Sequence, residues 1–201
     1  MDFFKLKTNM VNEILTLYDD KWENISLNDD YVVYQKNIVD SLINMFRIDM
    51  KMNINHNDFH KYVHEKMDSV SSNKDTFSYN IENIKRDNGI NILLANIKLQ
   101  FPLYARDFCL FFVDEKINDD TCVIILKSIE NEAFPVRKNF IRGDMKICGY
   151  VCKKIDENNS MISYIIDVDP KGWIPSNLVN YEIKRNVSDL NKLKTILENK
   201  I

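Results

Sequence analysis

Four glycines in 201 residues is the first shortage, and it removes whole classes of chemistry. Loops that cradle phosphate need positive-φ backbone close to the ligand, and Gly89, Gly143, Gly149 and Gly172 form neither G-x-G-x-x-G nor G-x-x-x-x-G-K-[ST]. The common nucleotide-dependent enzymes are excluded. No G-x-S-x-G elbow occurs, and all three histidines fall between positions 56 and 64, so a Ser-His-Asp arrangement would have to draw on that one segment. A basic excess is missing too: 27 Lys and Arg against 30 Asp and Glu leave a formal charge of −3, which argues against nucleic acid as a partner. No window approaches the roughly 20 apolar residues of a bilayer span, and the start MDFFKLKTNM lacks the apolar run and cleavage site of a secretory signal. The expected location is the cytoplasm. Cys109, Cys122, Cys148 and Cys152 all sit in apolar, strand-like runs rather than at loop spacings, as reduced core residues do.

What is present is grease in regular patterns. With 45 % hydrophobic residues the chain can bury a core of its own, and nothing suggests repeats or a second core, so residues 1–201 form one domain. Met10, Val11, Ile14, Leu15 and Tyr18 recur at helical spacing over residues 9–18; Trp22 to Leu27 reads as an irregular link. Strands follow at 31–36 and 42–54, the second alternating Phe46, Ile48, Met50, Met52 against Arg47, Asp49, Lys51. Asn55 or Asn57 caps a helix to Met67 whose Phe59, Tyr62, Val63 and Met67 share a face, and 69–75 is a polar link. Six strands are predicted beyond it, at 76–85, 90–101, 107–115, 121–131, 144–155 and 160–168. Glu132 to Gly143 is too long for a hairpin turn and carries Phe134, Pro135, Val136, Phe140 and Ile141, as a lid loop would. From Pro175 a long amphipathic helix closes the chain, with Ser188-Asp189 as a place to bend or restart. The fold class is α+β, one antiparallel sheet burying its apolar face against the terminal helices.

Two runs, Phe108 to Val113 and Cys122 to Leu126, carry more apolar side chains than one buried face can use. Either helices cover both faces or one face lines a cavity.

Three motifs decide the family resemblance. Asp167-Val168-Asp169-Pro170-Lys171-Gly172-Trp173-Ile174-Pro175 through Leu178-Val179-Asn180 resembles the signature that leads into the last helix of START lipid-transfer domains. Phe101-Pro102 through Arg106-Asp107-Phe108 resembles that family's FP-x-x-x-RDF opening of a central strand, and Phe140-Ile141-Arg142-Gly143 its Y-[VI]-R segment. The order and spacing agree over residues 8 to 200, with the nearest echo in the phosphatidylcholine transfer protein branch through Asp87-Asn88-Gly89 and Ile97 to Pro102. The resemblance implies a helix-grip (START) fold: a curved antiparallel sheet wrapped around a long C-terminal helix, with an internal lipid tunnel. It also implies no catalysis and no cofactor besides the bound lipid. The chain is then a monomer that carries a phospholipid such as phosphatidylcholine, transiently touching membranes. A sterol- or ceramide-binding sensor is the alternative, and a helix-grip cyclase or hydrolase the second one.

Site residues follow from the motifs and the alternation. Phe108, Leu110 and Phe112 share one side of their strand and are expected to wall the tunnel, with Leu178 above them. Tyr150, Tyr164 and Tyr181 can place hydroxyls inside it for a head group or a sterol hydroxyl. Arg106 and Arg142 match family arginines; an ion pair with Asp107 or Asp169 that pins a loop is the first reading, a lipid phosphate the second. Trp173 stands at the mouth, for the headgroup zone or for packing under the helix start. The Arg and Trp-Asp pair that hold choline in the phosphatidylcholine branch have no counterpart in Ser71 to Thr76, where only Asp75 offers an acid. His56, His60 and His64 form a stripe at i, i+4 and i+8, which reads as a solvated face rather than a metal site.

Overall fold

The structure is a computed structural model; it describes all residues except 1, 39–42, 68–79, 88–89, 100–102, 175 and 200–201, and only the backbone of 80, 83–87 and 176–184. The elements are α1 (Phe3–Asp19), β1 (Glu23–Leu27), β2 (Tyr31–Lys36), β3 (Met45–Met52), α2 (His56–Met67), β4 (Asn80–Asp87), β5 (Ile90–Ile97) and β6 (Ala105–Asn118). There follow β7 (Thr121–Ser128), β8 (Phe140–Arg142), β9 (Asp144–Lys154), β10 (Ser160–Asp169) and α3 (Ser176–Glu198). Nine strands form one antiparallel sheet in the order β1-β2-β3-β10-β9-β7-β6-β5-β4, and β8 lies off that path, parallel to the start of β6.

Alternation sorts the doubly apolar runs into two layers. Phe108, Leu110 and Phe112 of β6, Cys122, Ile124 and Leu126 of β7, and Cys148, Tyr150 and Cys152 of β9 join an inner layer with α2 and the described part of α3. Cys109, Phe111, Val113, Val123, Ile125, Ile147 and Val151 join an outer layer under Met10 and Ile14 of α1. Both faces are therefore used. Register shifts in the β1–β2, β4–β5, β6–β7 and β9–β10 pairs add the local twist that bends so wide a sheet.

Close approach on the outer side rests on Gly149, where a Cβ would stand 2.9 Å from Ile14 Cδ1 and collide with the Ile124 carbonyl. At the end of α1, Arg47 makes a bidentate pair with Asp49 at 2.7 Å for both bonds and donates to the Tyr18 carbonyl at 2.6 Å. These two polar residues of β3 thus serve the α1 side of the sheet.

Four expectations are corrected. Residues 23–27 are an edge strand rather than a link; every side chain there is exposed, so no alternation marked it. The loop from Glu132 ends in β8, because Ala105 to Asp107 extend beyond the partner β7 and need another. Helix α1 starts at Phe3, where the Asp2 carboxylate accepts from the Lys5 amide. Helix α3 runs unbroken through Ser188-Asp189. The predicted polar link at 69–75, Asp75 included, lies outside the described residues.

Candidate functional site

The inner face of the sheet is built from rows of cross-strand partners. One row reads Asp114, Ile124, Tyr150, Tyr164, Ile48 and Val33 across β6, β7, β9, β10, β3 and β2. A neighbouring row carries Phe112, Leu126, Cys148 and Ile166, and Leu110 and Phe108 continue the same side of β6. Helix α3 faces this surface with Leu190, Leu193 and Leu197, and α2 with Phe59, Val63 and Met67. The predicted walls, Phe108, Leu110 and Phe112, are all buried there.

The polar side chains on this surface come as a group. The Tyr150 and Tyr164 rings stack at 4.9 Å, Phe59 meets Tyr150 edge-on at 5.3 Å, and the Cys148 thiol donates to the Tyr164 hydroxyl at 3.2 Å. Burial pushes the Cys148 thiol up to about 12 and the Tyr150 hydroxyl well above its ordinary value, with the Asp189 carboxylate of α3 adding to the latter. The Cys148 thiol and the Tyr150 hydroxyl therefore stay protonated at neutral pH. Asp189, expected at a bend or restart of the helix, lies within an unbroken α3, pairs with Lys192 and is near enough to Tyr150 for its charge to be felt there. The side chains of Leu178 and Tyr181 lie outside the described ones.

At one end of the molecule three segments are tied together. Arg106 is buried and donates to the carbonyls of Pro170 (3.0 Å), Tyr104 (2.5 Å) and Lys171 (3.0 Å). It pins the loop before α3 as expected, but through backbone carbonyls, and among the described residues no acid pairs with its guanidinium. Arg142 takes the predicted carboxylate: its Nε and Nη2 reach the two oxygens of fully buried Asp107 at 2.9 and 3.2 Å, and Nη2 also serves the Phe134 and Pro135 carbonyls. The hydrogen bonds that Arg142 donates to Asp107 raise the Arg142 pKa, so the guanidinium stays charged. Arg137 reaches Asp107 from the other side at 3.1 Å. The loop from Glu132 is thereby folded back on β6, and its Phe134 is spent on the outer layer. Exposed Tyr104, Val136 and Trp173 surround this end, Trp173 with 75 % of its surface open.

The histidine stripe is not a solvated face. His56 is buried, with Nε2 at 3.1 Å from the Asp119 carbonyl, and His60 Nε2 lies 2.6 Å from Asp114 Oδ1 while His64 Nδ1 pairs with the other oxygen. Asp114 projects from the inner side of β6, and no sequence signal marked it because it lies 50 residues along the chain from His64, the nearer of the two histidines it holds. No group of three metal-ligating side chains suited to an ion occurs among the described residues. None of the described helices is long and apolar enough to cross a membrane.

No curated protein matches the chain significantly. Among solved structures, human StAR-related lipid transfer protein 5 superposes with a TM-score of 0.78 at 15 % identity, covering 97 % of this chain and 96 % of that one. Human STARD10 gives 0.74 at 16 % identity, covering 92 % and 77 %. A STAR-related lipid transfer protein fragment from Xanthomonas axonopodis gives 0.72 at 20 % identity, covering 89 % and 99 %. Likeness at these identities speaks for the helix-grip architecture alone. The family model described as START domain, however, matches residues 8–196, the whole sheet and most of both terminal helices, and the chain therefore belongs to the START domain family.

Proposed function

We propose that this chain holds one lipid between the inner face of its sheet and α3 and carries it between membranes, with a phospholipid such as phosphatidylcholine as the favoured cargo. The observation that carries the reading is the inner surface itself: apolar rows from β2, β3, β5, β6, β7, β9 and β10 face two helices instead of a second sheet. A two-chain lipid has on the order of 30 methylenes worth about 0.8 kcal/mol each, so bare transit through water is opposed by roughly 20 kcal/mol. Shielding the chains is the service. An apolar tunnel and a bilayer are similar solvents for hydrocarbon, so exchange needs a gate at the membrane and no input of chemical energy.

Within this reading Phe108, Leu110, Phe112 and Leu178 line the acyl chains, and Tyr150, Tyr164 and Tyr181 meet the polar end. Arg106 and Arg142 hold the gate segments in place. Tyr104, Val136 and Trp173 enter the headgroup zone, where amphipathic aromatics are favoured. The protein works as a monomer in the cytoplasm, without enzymatic turnover or cofactor. The names of the superposable lipid transfer proteins favour this over a cyclase or hydrolase, as does the commitment of Arg47 and Asp49 to each other and to α1. A lipid-gated regulator is the second reading, favoured by the buried hydroxyls and thiol of Tyr150, Tyr164 and Cys148, which suit a sterol hydroxyl.

Native mass spectrometry of freshly purified protein, followed by lipid extraction, tests the cargo. A one-to-one phospholipid is expected; a sterol, or a protein that never carries lipid, rejects it. Movement of labelled lipid between donor and acceptor vesicles at catalytic protein concentration separates carrier from regulator.

A further inference from the structure

Two thiols of the inner layer, beneath α2, have chemistry that the lipid-carrying reading does not use. Cys122 of β7 and Cys152 of β9 are direct cross-strand partners, and both thiols are buried in the inner layer. The Lys154 amide donates to the Asp120 carbonyl at 2.9 Å, so 120 and 154 are a hydrogen-bonded pair and, by alternation, so are 122 and 152. Such partners stand with Cα atoms about 5.5 Å apart, at the common separation of disulfide-bonded residues. Both thiols are free.

The four cysteines are not equivalent. Burial pushes Cys109 and Cys148 up. At Cys122 the thiol of Cys152, which hydrogen-bonds to it, outweighs burial, and the charge of His60 adds to the effect, so Cys122 ionises more readily than an ordinary thiol. Burial and then the bond to Cys122 keep the proton on Cys152. Other groups facing the pair are Asp114 and Lys116 of β6 and the His56 carbonyl, 3.9 Å from Cys122 Sγ. One thiol is set to attack and its partner to resolve.

We propose that Cys122 and Cys152 form a thiol–disulfide redox pair whose oxidant is a hydroperoxide. The Cys122 thiolate attacks the outer oxygen of ROOH; an S–O bond forms, the O–O bond breaks, and the alkoxide takes a proton and leaves as ROH. The Cys152 sulfur then attacks the sulfenic sulfur, the S–S bond forms, and hydroxide leaves with the Cys152 proton as water. Two thiols and one ROOH thus give one disulfide, one ROH and one water, two electrons passing from sulfur to the peroxide. A separate low-molecular-weight thiol resets the pair by exchange. The peroxide is either aqueous hydrogen peroxide or a hydroperoxide on an acyl chain held against the inner wall; only the second source rests on the lipid-carrying reading.

The test exposes the intact chain to one equivalent of hydrogen peroxide or, separately, to phosphatidylcholine vesicles bearing acyl hydroperoxides, and maps unreduced peptides by mass spectrometry. The expected product is a single Cys122–Cys152 linkage that removes two of the four thiols and is reversed by dithiothreitol. Cys152→Ser should stop at a sulfenic acid on Cys122 that dimedone traps, while Cys109→Ser and Cys148→Ser leave the linkage intact. Linkage in both arms supports the pair and a lipid-borne source; linkage with hydrogen peroxide alone supports the pair with an aqueous source. No linkage in either arm, or oxidation spread evenly onto Cys109 and Cys148, overturns the proposal. Lipid occupancy, read on the same samples by native mass spectrometry, reports on the carrier reading separately.

Discussion

Asp107 has no exposed side-chain surface and gathers Arg142 and Arg137 onto one carboxylate; its removal leaves Arg137 with Glu82 but strips Arg142 of the carboxylate it pairs with. Asp107→Asn is expected to lower stability by about 3 kcal/mol, read as a fall in the urea midpoint at constant slope. An unchanged midpoint would mean that water already serves these arginines. Gly143 makes a different demand. A Cβ there would stand 2.6 Å from Phe108 Cζ and overlap Cε1, so Gly143→Ala must drive the ring off its place on the inner wall. Overpacking of this kind costs about 1–3 kcal/mol. Because the ring belongs to the proposed lining, lipid occupancy should shift with it, measurable as bound lipid per protein; a stability loss with unaltered occupancy would make Phe108 plain core.

At the scale of elements, α2 is held by a charge as well as by grease. Burial pulls the His60 imidazole down, but the Asp114 carboxylate and its neighbours more than compensate, and the folded-state pKa lies above 6.5. A raised pKa stabilises fully below pH 6.5 and loses its effect as pH rises through the folded value. Asp114, lowered from 3.8 by the two imidazoles against burial, contributes above that pH and fails as acid passes its folded value. The clamp between α2 and β6 is therefore strongest between pH 3.8 and 6.5. Heating the wild type and Asp114→Asn at pH 5.5 and pH 8 should show a gap in Tm at the lower pH, equivalent to about 1 kcal/mol, that shrinks at the higher. A gap independent of pH would remove the charge from the account. Sequence alone made much of the sheet legible, because β2, β5 to β7, β9 and β10 carry alternation or continuous apolar runs. It could not show β1, whose residues bury nothing, nor β8, whose three residues are placed by a missing neighbour. Phe108, Leu110 and Phe112 were readable for the same periodic reason. The Arg142–Asp107 pair was legible from the motifs, whereas the Asp114 to α2 bridge and the arrival of Arg137 at Asp107 were not, since each joins segments that only the folded sheet brings together.

For the molecule as a whole, the separation of two apolar layers by one sheet predicts separable phenotypes. Ile14→Ala, under α1 on the outer layer, should cost about 2–4 kcal/mol with lipid occupancy unaltered. Phe112→Trp, on the inner layer, should change occupancy more than melting temperature. Native mass spectrometry beside thermal denaturation distinguishes them, and identical behaviour of the two variants would erase the distinction between the layers. The topology has a further consequence in the cell. Strand β3 waits for β10, more than a hundred positions later, and α3 is translated after every strand it faces. A ribosome therefore presents a long greasy trough before its cover exists, which favours slow, non-local assembly and binding by chaperones during synthesis.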